Sequence, residues 1–145
     1  MANPLYTYDP SQVALSLGGV PISGYADGTM IEIERDEDTF TKVNGVGIVS
    51  RAKSTSRGGM LRITLQQTSP SNDVLSGFVN ADELTGTGVI PMLLKDLSGR
   101  SVSFAEHAWI KKPAPQTFAK EISNRVWEVD LADVDVFVAG NAQAT

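Results

Sequence analysis

The sequence predicts a mainly β protein, an antiparallel β-sandwich or partial barrel with one packed α-helix over about residues 70–84. One observation is a period-two alternation of apolar and polar residues, which is typical of strands with one buried face. Four segments show it: residues 13–17, 31–34, 61–66 and 127–131. The others are turn signals between strand-like segments and a single helix signal, which together favour an antiparallel architecture.

Two dipeptides mark turns between strands. Asp27-Gly28 precedes the alternating segment 31–34, and Ser98-Gly99 lies between two longer strand-like segments. Glycine adopts the positive φ angles that tight turns require. We therefore expect residues 88–95 and 101–110 to form a hairpin through Ser98-Gly99.

The last predicted strand changes phase. Its apolar residues occupy odd positions up to Leu131 and even positions from Val134 onwards. Because one strand cannot keep both sets on one face, we expect a bulge, corner or register break near Ala132-Asp133. The alternative is a strand buried on both faces beyond that point.

Segment 89–94 is apolar at nearly every position and contains Pro91, which predicts an edge strand or a bulge. A small monomeric sheet has little means to cover two apolar faces, whereas an oligomer has. We therefore expect segments 89–94 and 134–138 to be buried between subunits or under the helix.

The helix has a start signal, an apolar face and a stop signal. Ser69 is the expected N-cap, Pro70 the first helical residue, and Asp73 lies in the first turn, where the helix dipole favours a negative charge. Gly86 is expected to end the helix. One face carries the apolar residues Val74, Leu75, Phe78 and Val79.

Composition limits the class of protein. A chain of 145 residues is predicted to form one domain, residues 1–145, with flexible N- and C-terminal ends. It contains no cysteine and one histidine, so the sequence offers no disulfide and no thiolate metal site. No apolar run approaches the roughly 20 residues of a membrane span, and no secretion signal opens the chain. These features predict a soluble protein, made in a cytoplasm and not inserted into a membrane.

The net charge of −5 argues against a dedicated nucleic-acid-binding protein. The charges are unevenly distributed. Within residues 51–62 all charged residues are basic: Arg51, Lys53, Arg57 and Arg62. From residue 126 to the C-terminus all are acidic: Glu128, Asp130, Asp133 and Asp135. The pattern is that of ordinary solvated surface or of two complementary faces for head-to-tail association.

Motifs for chemistry are incomplete. Gly45-Val46-Gly47 lacks the further residues of a dinucleotide or phosphate-binding loop, and the acidic run 36–38 lacks EF-hand spacing. His107 has no serine or cysteine motif to serve, so we expect it to be packed or interfacial. The sequence therefore predicts no catalytic residue, metal site or cofactor, and an enzyme is the least favoured class.

Several motifs, in order, resemble the tail tube proteins of contractile-tailed bacteriophages, and the resemblance extends from about residue 13 to 138. They are Tyr25-Ala26-Asp27-Gly28, the charged run 34–42, the segment 45–51 that begins Gly45-Val46-Gly47, and the segment 65–75 before and into the helix.

The resemblance implies that each copy closes with five others into a ring and that rings stack head to tail into the tube through which the genome leaves. It implies kinship in fold with type VI secretion tube proteins. Implied partners are further copies of the chain, the tail sheath protein, the tape measure protein, the baseplate or tube initiator and the tail terminator. Double-stranded DNA passes transiently and without sequence specificity. The implied location is the virion tail, assembled in the bacterial cytoplasm.

Two sets of residues are predicted to serve assembly. The charged, glycine-containing loop at about 36–47 is expected to reach a neighbouring subunit or the next ring and to become ordered only on assembly. Its candidate residues are Arg35, Asp36, Glu37, Asp38, Phe40, Lys42, Gly45 and Gly47. Polar strand faces are expected to line the bore, with Arg62 near a rim or paired to an acid; the alternative places them on the outer wall. Their residues are Glu32, Glu34, Thr64 and Gln66.

The predicted function is thus a structural, self-assembling tail tube subunit. One alternative is the inner tube protein of a contractile injection or secretion system, which passes protein instead of DNA. From a different class, the alternative is a monomeric small-molecule-binding β-barrel, which predicts a closed apolar cavity.

Overall fold

The structure is a computed structural model that describes residues 5–141. In this part of the chain six strands precede one α-helix and four follow it. The predicted flexible ends fall partly on residues 1–4 and 142–145, which lie outside the described residues. The strands are β1 Val13–Leu17, β2 Val20–Pro21, β3 Ile31–Arg35, β4 Phe40–Gly45, β5 Ile48–Lys53, β6 Gly59–Leu65, β7 Ile90–Asp96, β8 Val102–Ile110, β9 Arg125–Leu131 and β10 Val134–Phe137. The helix α1 spans Ser71–Thr85. The predicted mainly β fold with one helix is confirmed.

Eight of the strands form one antiparallel sheet in the order β2-β1-β7-β8-β9-β6-β3, with β10 paired to β8, while β4 and β5 form a separate pair. The sheet is strongly curled, because Val13 of β1 and Ile31 of β3 line the same cavity of about 290 Å³ although they lie near opposite ends of the strand order. Of the two predicted architectures, this continuous curled sheet corresponds more closely to the partial barrel.

The core lies between the concave face of the sheet and α1. Alternate residues of β6 and β9 point inward, as the period-two pattern predicts, and they share one core cluster with Leu75 and Val79 of α1. Nine large side chains are less than 2% exposed: Leu15, Leu17, Leu61, Ile63, Leu65, Leu75, Met92, Val129 and Val134. Side chains therefore fill most of the interior of this partial barrel, apart from the cavity of about 290 Å³ beside Val13 and Ile31.

The helix begins one residue later than predicted. Pro70 is the N-cap residue and Ser71 the first helical residue, whereas the sequence predicted Ser69 and Pro70. Pro70 already has helical backbone angles, so the difference lies within the usual uncertainty of a helix end. The Ser69 hydroxyl nevertheless accepts a hydrogen bond from the Ser71 N–H at 3.2 Å and donates one to the Ser23 carbonyl at 2.6 Å. Gly86 ends the helix as predicted, with φ 68°.

The predicted break in the last strand is present at Ala132-Asp133, which separates β9 from β10. Both strands nevertheless pair with β8 in one continuous register, Leu131 opposite Ala108 and Val134 opposite Ala105. The buried positions change phase at the break, because Leu131 and Val134 are both buried. The chain thus stays in the sheet and turns a corner there.

Strand β8 is irregular between Ala105 and Ala108, directly opposite the break between β9 and β10. Glu106 and His107 are both exposed between buried Ala105 and Ala108, and the pairing of β7 with β8 shifts register between Ile90 and Met92. The extra residue in β8 is the mark of a β-bulge, so the corner is shared by adjacent strands. His107 is therefore not packed within the chain, contrary to one of the two expectations for it.

Pro91 is associated with this bulge, as predicted, but β7 is an interior strand and not an edge. The proline lies next to the start of β7, where its carbonyl accepts a hydrogen bond from the Gly18 N–H at 2.9 Å. Ile90 and Met92 point into the core, while Val89 and Leu93 are 48% and 41% exposed. The second apolar face of this segment is thus uncovered in the single chain.

The two turn predictions agree with the structure. Strands β7 and β8 form the expected antiparallel hairpin through Ser98-Gly99, and Gly28 bends the chain with φ 89°. No helix among residues 5–141 has the length and apolar character needed to cross a membrane.

Candidate assembly surfaces

The predicted loop at 36–47 is largely a β-hairpin. Its central residues belong to β4, which pairs with β5 through a turn at Val46-Gly47. We call residues 40–53 the arm. The alternation rule missed the arm because neither of its faces is buried: all six residues of β4 and all six of β5 are exposed. Residues 40–45 of the predicted loop thus form a strand, and the projecting element extends to Lys53.

The arm has two different faces, because residues directly opposite in an antiparallel pair share a face. One face is basic: Phe40 lies opposite Lys53, and Lys42 opposite Arg51. The Arg51 guanidinium carbon lies 4.1 Å from the centre of the Phe40 ring, a cation–π contact. The other face is uncharged and comprises Thr41, Val43, Gly45, Ile48, Ser50 and Ala52.

The foot of the arm is anchored to the sheet. Asp36 donates its N–H to the Gly58 carbonyl at 3.1 Å, and the Glu37 carboxylate accepts a hydrogen bond from the Ser54 hydroxyl at 2.9 Å. Arg35 donates to the Val134 carbonyl at 3.0 Å, while its Nε is buried without a partner. Of the predicted assembly residues, Arg35, Asp36, Glu37 and Asp38 lie at or next to the foot, Phe40, Lys42 and Gly45 in β4, and Gly47 in the turn.

The outer face of β3, β6 and β9 brings together three of the four predicted bore residues. Glu32 lies opposite Arg62, and Glu34 opposite Met60. Thr64 is on the same face of β6. Gln66 lies just beyond the end of β6, so it does not join this strand face.

The same face carries a row of alternating charges. Arg62 lies 3.3 Å from the Glu32 carboxylate and 3.8 Å from that of Glu128, and Lys111 lies 4.0 Å from Glu128. Arg62 is thus paired to acids, one of the two positions expected for it. Sequence reasoning left Glu128 and Asp130 out of this face, although the alternation in residues 127–131 places both on the polar side of β9.

Part of the charge asymmetry in the sequence is neutralised within one chain. Arg57 bonds to Asp133 at 2.9 Å and also pairs with Asp135. The hydrogen bond with Asp133 and the charge of Asp135 raise the Arg57 pKa above its ordinary value. Within residues 5–141 the other basic residues of this segment, Arg51 and Lys53, form no ion pair. Both belong to the basic face of the arm.

Strand β3 ends the sheet and has an unpaired edge. The Thr64 N–H donates to the Met30 carbonyl at 2.9 Å and the Asp36 N–H donates to Gly58 at 3.1 Å, so even-numbered residues of this strand face β6. The backbone groups of Ile31, Ile33 and Arg35 therefore point to the open side. An unpaired edge of this kind can accept a strand from another chain.

No group of three or more His, Asp or Glu residues within 5–141 is arranged to hold a metal ion. The surfaces with distinctive geometry are the arm, the free edge of β3 and the charged outer face. These exposed surfaces are therefore the candidate functional sites within residues 5–141.

Comparison with known proteins identifies the family. Residues 13–139 match the family described as bacteriophage PhiTE tail tube protein, and the chain belongs to that family. It is 29% identical over 154 residues to structural protein ORF10 of Pseudomonas phage KPP10, which covers 100% of this chain and 89% of that protein. The resemblance predicted from the sequence is confirmed, and the chain is a structural protein of a phage tail.

Solved structures share the fold at low sequence identity. The cap that terminates the tube of the anti-feeding prophage superposes with a TM-score of 0.65 at 11% identity, over 96% of this chain and 95% of that chain. The PVC sheath/tube terminator of an extracellular contractile injection system gives 0.62 at 13% identity, over 92% and 98%. A chain of the PVC sheath-tube complex gives 0.56 at 11% identity, over 96% and 93%. These similarities establish the fold.

Proposed function

We propose that residues 1–145 act as a single tail tube domain whose copies close into rings of six, and that the stacked rings form the conduit for genome ejection. The chain is non-enzymatic and resides in the virion tail after assembly in the host cytoplasm. Its partners are further copies, the sheath, the tape measure protein, the initiator and the terminator. Family membership supports the tube, and the surfaces of the chain support its self-assembly.

The arm is the observation that carries this proposal. Outside an assembly it exposes apolar side chains to water with no compensating contact, which is unfavourable. Val46 at its tip is fully exposed, and Ile48 and Val49 are 66% and 68% exposed. Covering these side chains with a neighbouring subunit removes apolar area from water and provides a driving force for assembly.

A second apolar patch lies on the convex face of the sheet. Leu93 of β7 and Phe104 of β8 are directly opposite each other and are 41% and 44% exposed. Phe137 at the end of β10 is 60% exposed and Val138, just beyond the strand, is 84% exposed, whereas Val134 is in the core. Segments 89–94 and 134–138 thus retain apolar surface that a neighbouring subunit can bury.

The bore is assigned to the outer face of β3, β6 and β9. Glu32, Glu34 and Asp130 give this face acidic character, and Arg62 is held between two carboxylates. A duplex sliding through the tube meets no unpaired cation on this face, so it is not retained by phosphate contacts. The outer-wall alternative places the same acids beneath the sheath.

The two functional alternatives fit less well. An injection-system inner tube shares the fold, but the family match is to a phage tail tube protein. A small-molecule-binding barrel needs a closed apolar cavity, whereas core side chains fill most of the interior here and the cavity of about 290 Å³ beside Val13 and Ile31 is open to solvent.

The experiment removes the arm. Its two ends are adjacent, since the Ser54 N–H donates to the Thr39 carbonyl at 2.8 Å, so a short Gly-Ser turn can replace residues 40–53 without moving the sheet. We expect the wild-type protein to form rings or tubes at high concentration in negative-stain micrographs. The deletion variant should keep the wild-type circular dichroism spectrum and form none. Normal tubes from the deletion variant, or a wild-type protein that stays monomeric at millimolar concentration, would contradict the proposal.

A further inference from the structure

An arginine occupies a core-facing position at the start of β9. Arg125 begins the inward-facing series that continues with Trp127 and Val129, and only 8% of its surface is exposed. A guanidinium is permanently charged and has five N–H donors. Its contacts are a long hydrogen bond to the Thr117 carbonyl at 3.5 Å and the Phe118 ring, whose centre lies 5.4 Å away. Among residues 5–141 no carboxylate forms an ion pair with it.

The arginine lines a cavity of about 170 Å³ between the first turns of α1 and the loop that connects β8 to β9. The other polar side chains of the lining are Gln67, Asn72, Asp73, Ser76 and Gln116. At roughly 30 Å³ of liquid volume per water molecule, this space holds only a handful of waters. A carboxylate side chain fits it, whereas a nucleotide or a folded segment does not.

The polar groups of the lining favour an anionic occupant. The Arg125 guanidinium lines the cavity with one long hydrogen bond within residues 5–141, to the Thr117 carbonyl, so other N–H groups are available to a carboxylate that accepts two parallel N–H bonds. The side-chain oxygen of Gln67 already accepts the Ser123 N–H at 3.0 Å, which leaves its NH₂ group to donate. Asn72 is used internally, since its oxygen accepts the Trp127 indole N–H at 2.9 Å.

We propose that this cavity binds one carboxylate group, supplied by an Asp or Glu side chain of a second copy of this chain in the assembled tube. The inference rests on the proposed self-assembly and adds a specific contact to it. The chain carries a net charge of −5 and exposes acids that form no ion pair within residues 5–141, among them Asp38 and Glu106. Self-association can therefore present one of these carboxylates to the cavity.

The cavity is unsuited to the phosphates of DNA. Among residues 5–141, Arg125 is the one cation of the lining and Asp73 lies beside it, so the cavity offers no cluster of cations for a polyanion. A duplex carries one charge per roughly 1.7 Å of its axis and cannot present one anion alone. The cavity also lies beside α1, on the side of the sheet opposite Glu32 and Glu34.

The test fills the cavity without touching the core. Ser76 is exposed on α1 and lines the cavity, so Ser76→Trp occupies the space intended for the carboxylate. Asn80→Trp places the same side chain one helical turn further along, outside the lining, and is the matched control. Arg125→Gln removes the charge directly. Folding is checked by circular dichroism, and assembly is followed by light scattering over a range of concentrations.

Ser76→Trp and Arg125→Gln should each raise the concentration needed for assembly by at least about tenfold, and Asn80→Trp should leave it unchanged. If Arg125→Gln fails to fold, the comparison of Ser76→Trp with Asn80→Trp tests the carboxylate site on its own. Assembly of Ser76→Trp at the wild-type concentration overturns the carboxylate site while the tube proposal stands. A wild-type protein that never assembles overturns both.

Discussion

Trp127 donates its indole N–H to the side-chain oxygen of Asn72 at 2.9 Å, which joins β9 to the first turn of α1. The amide NH₂ of Asn72 lies within hydrogen-bond distance of three backbone carbonyls in the segment that leads into the helix. One partly buried side chain therefore fixes the entry of the helix, the loop before it and a core tryptophan.

Replacing Asn72 with alanine should destabilise the protein by about 1–3 kcal/mol, because the buried indole N–H loses its partner. Urea denaturation measures the difference. Asn80→Ala, at an exposed position of the same helix, is the control and should change stability by less than about 0.5 kcal/mol. Equal effects of the two substitutions would show that the Trp127–Asn72 bond contributes nothing.

Tyr25 has a buried hydroxyl without a hydrogen-bond partner. Tyr25→Phe should therefore be neutral or stabilising by up to about 1 kcal/mol, since no bond is lost and a desolvated polar atom is removed. A clear loss of stability in urea denaturation at pH 7 would mean that the hydroxyl has a partner.

The pH dependence of stability, compared between wild type and Tyr25→Phe, tests the direction of the Tyr25 pKa shift. Burial raises the pKa of Tyr25 to about 12, from 10.0. The unfolded chain thus releases this proton at lower pH than the folded chain, and stability falls as pH rises from 10 towards 12. Wild type should lose stability relative to Tyr25→Phe in that window, and the difference should be constant below it. Parallel stability curves up to pH 12 would contradict the raised pKa.

Replacing Gly77 or Gly86 with alanine should change the stability of the protein in opposite directions. Gly77 lies inside α1 with open space around a built Cβ, so Gly77→Ala should stabilise by roughly 0.5–1 kcal/mol. Gly86 caps the helix at φ 68°, a left-handed angle, so Gly86→Ala should destabilise by about 1 kcal/mol. Thermal denaturation of both variants checks the signs, and two changes of the same sign would contradict the capping geometry.

The bore assignment predicts a change in DNA retention. Glu32→Lys with Glu34→Lys adds two cations to the proposed bore face, so tubes should retain DNA at low salt and release it at high salt. Glu83→Lys with Glu121→Lys makes the same charge change at exposed positions on α1 and the β8–β9 loop and is the control. Co-sedimentation of tubes with DNA across salt concentrations measures retention. If the bore variant and the control behave alike, Glu32 and Glu34 do not face the bore.

The strands with a buried face could be predicted from the sequence because burial enforces alternation. Residues 61–65 and 127–131 alternate because their inner side chains are buried in the core that also contains Leu75 and Val79 of α1, and the phase change after Leu131 correctly located the corner of the sheet. The arm could not be found in this way. Both of its faces are exposed in the single chain, so no burial pattern marks its strands.

The proposed sites were predictable to different degrees. Glu32, Glu34 and Thr64 were grouped correctly because strand parity places them on one face. Gln66 was grouped with them incorrectly, because the alternation of residues does not show where a strand ends, and β6 ends at Leu65. Arg125 was missed because the predicted alternating segment began at residue 127, although Arg125 has the same parity as Trp127 and Val129.

Electron microscopy of the assembled wild-type protein tests the central claim most directly. A reconstruction of the particles formed at high concentration should show hollow tubes of stacked rings with six copies each, with Glu32 and Glu34 facing the bore and the arm against a neighbouring copy. Solid fibres, rings that do not stack, or tubes with Glu32 on the outer wall and the arm in solvent would contradict the account.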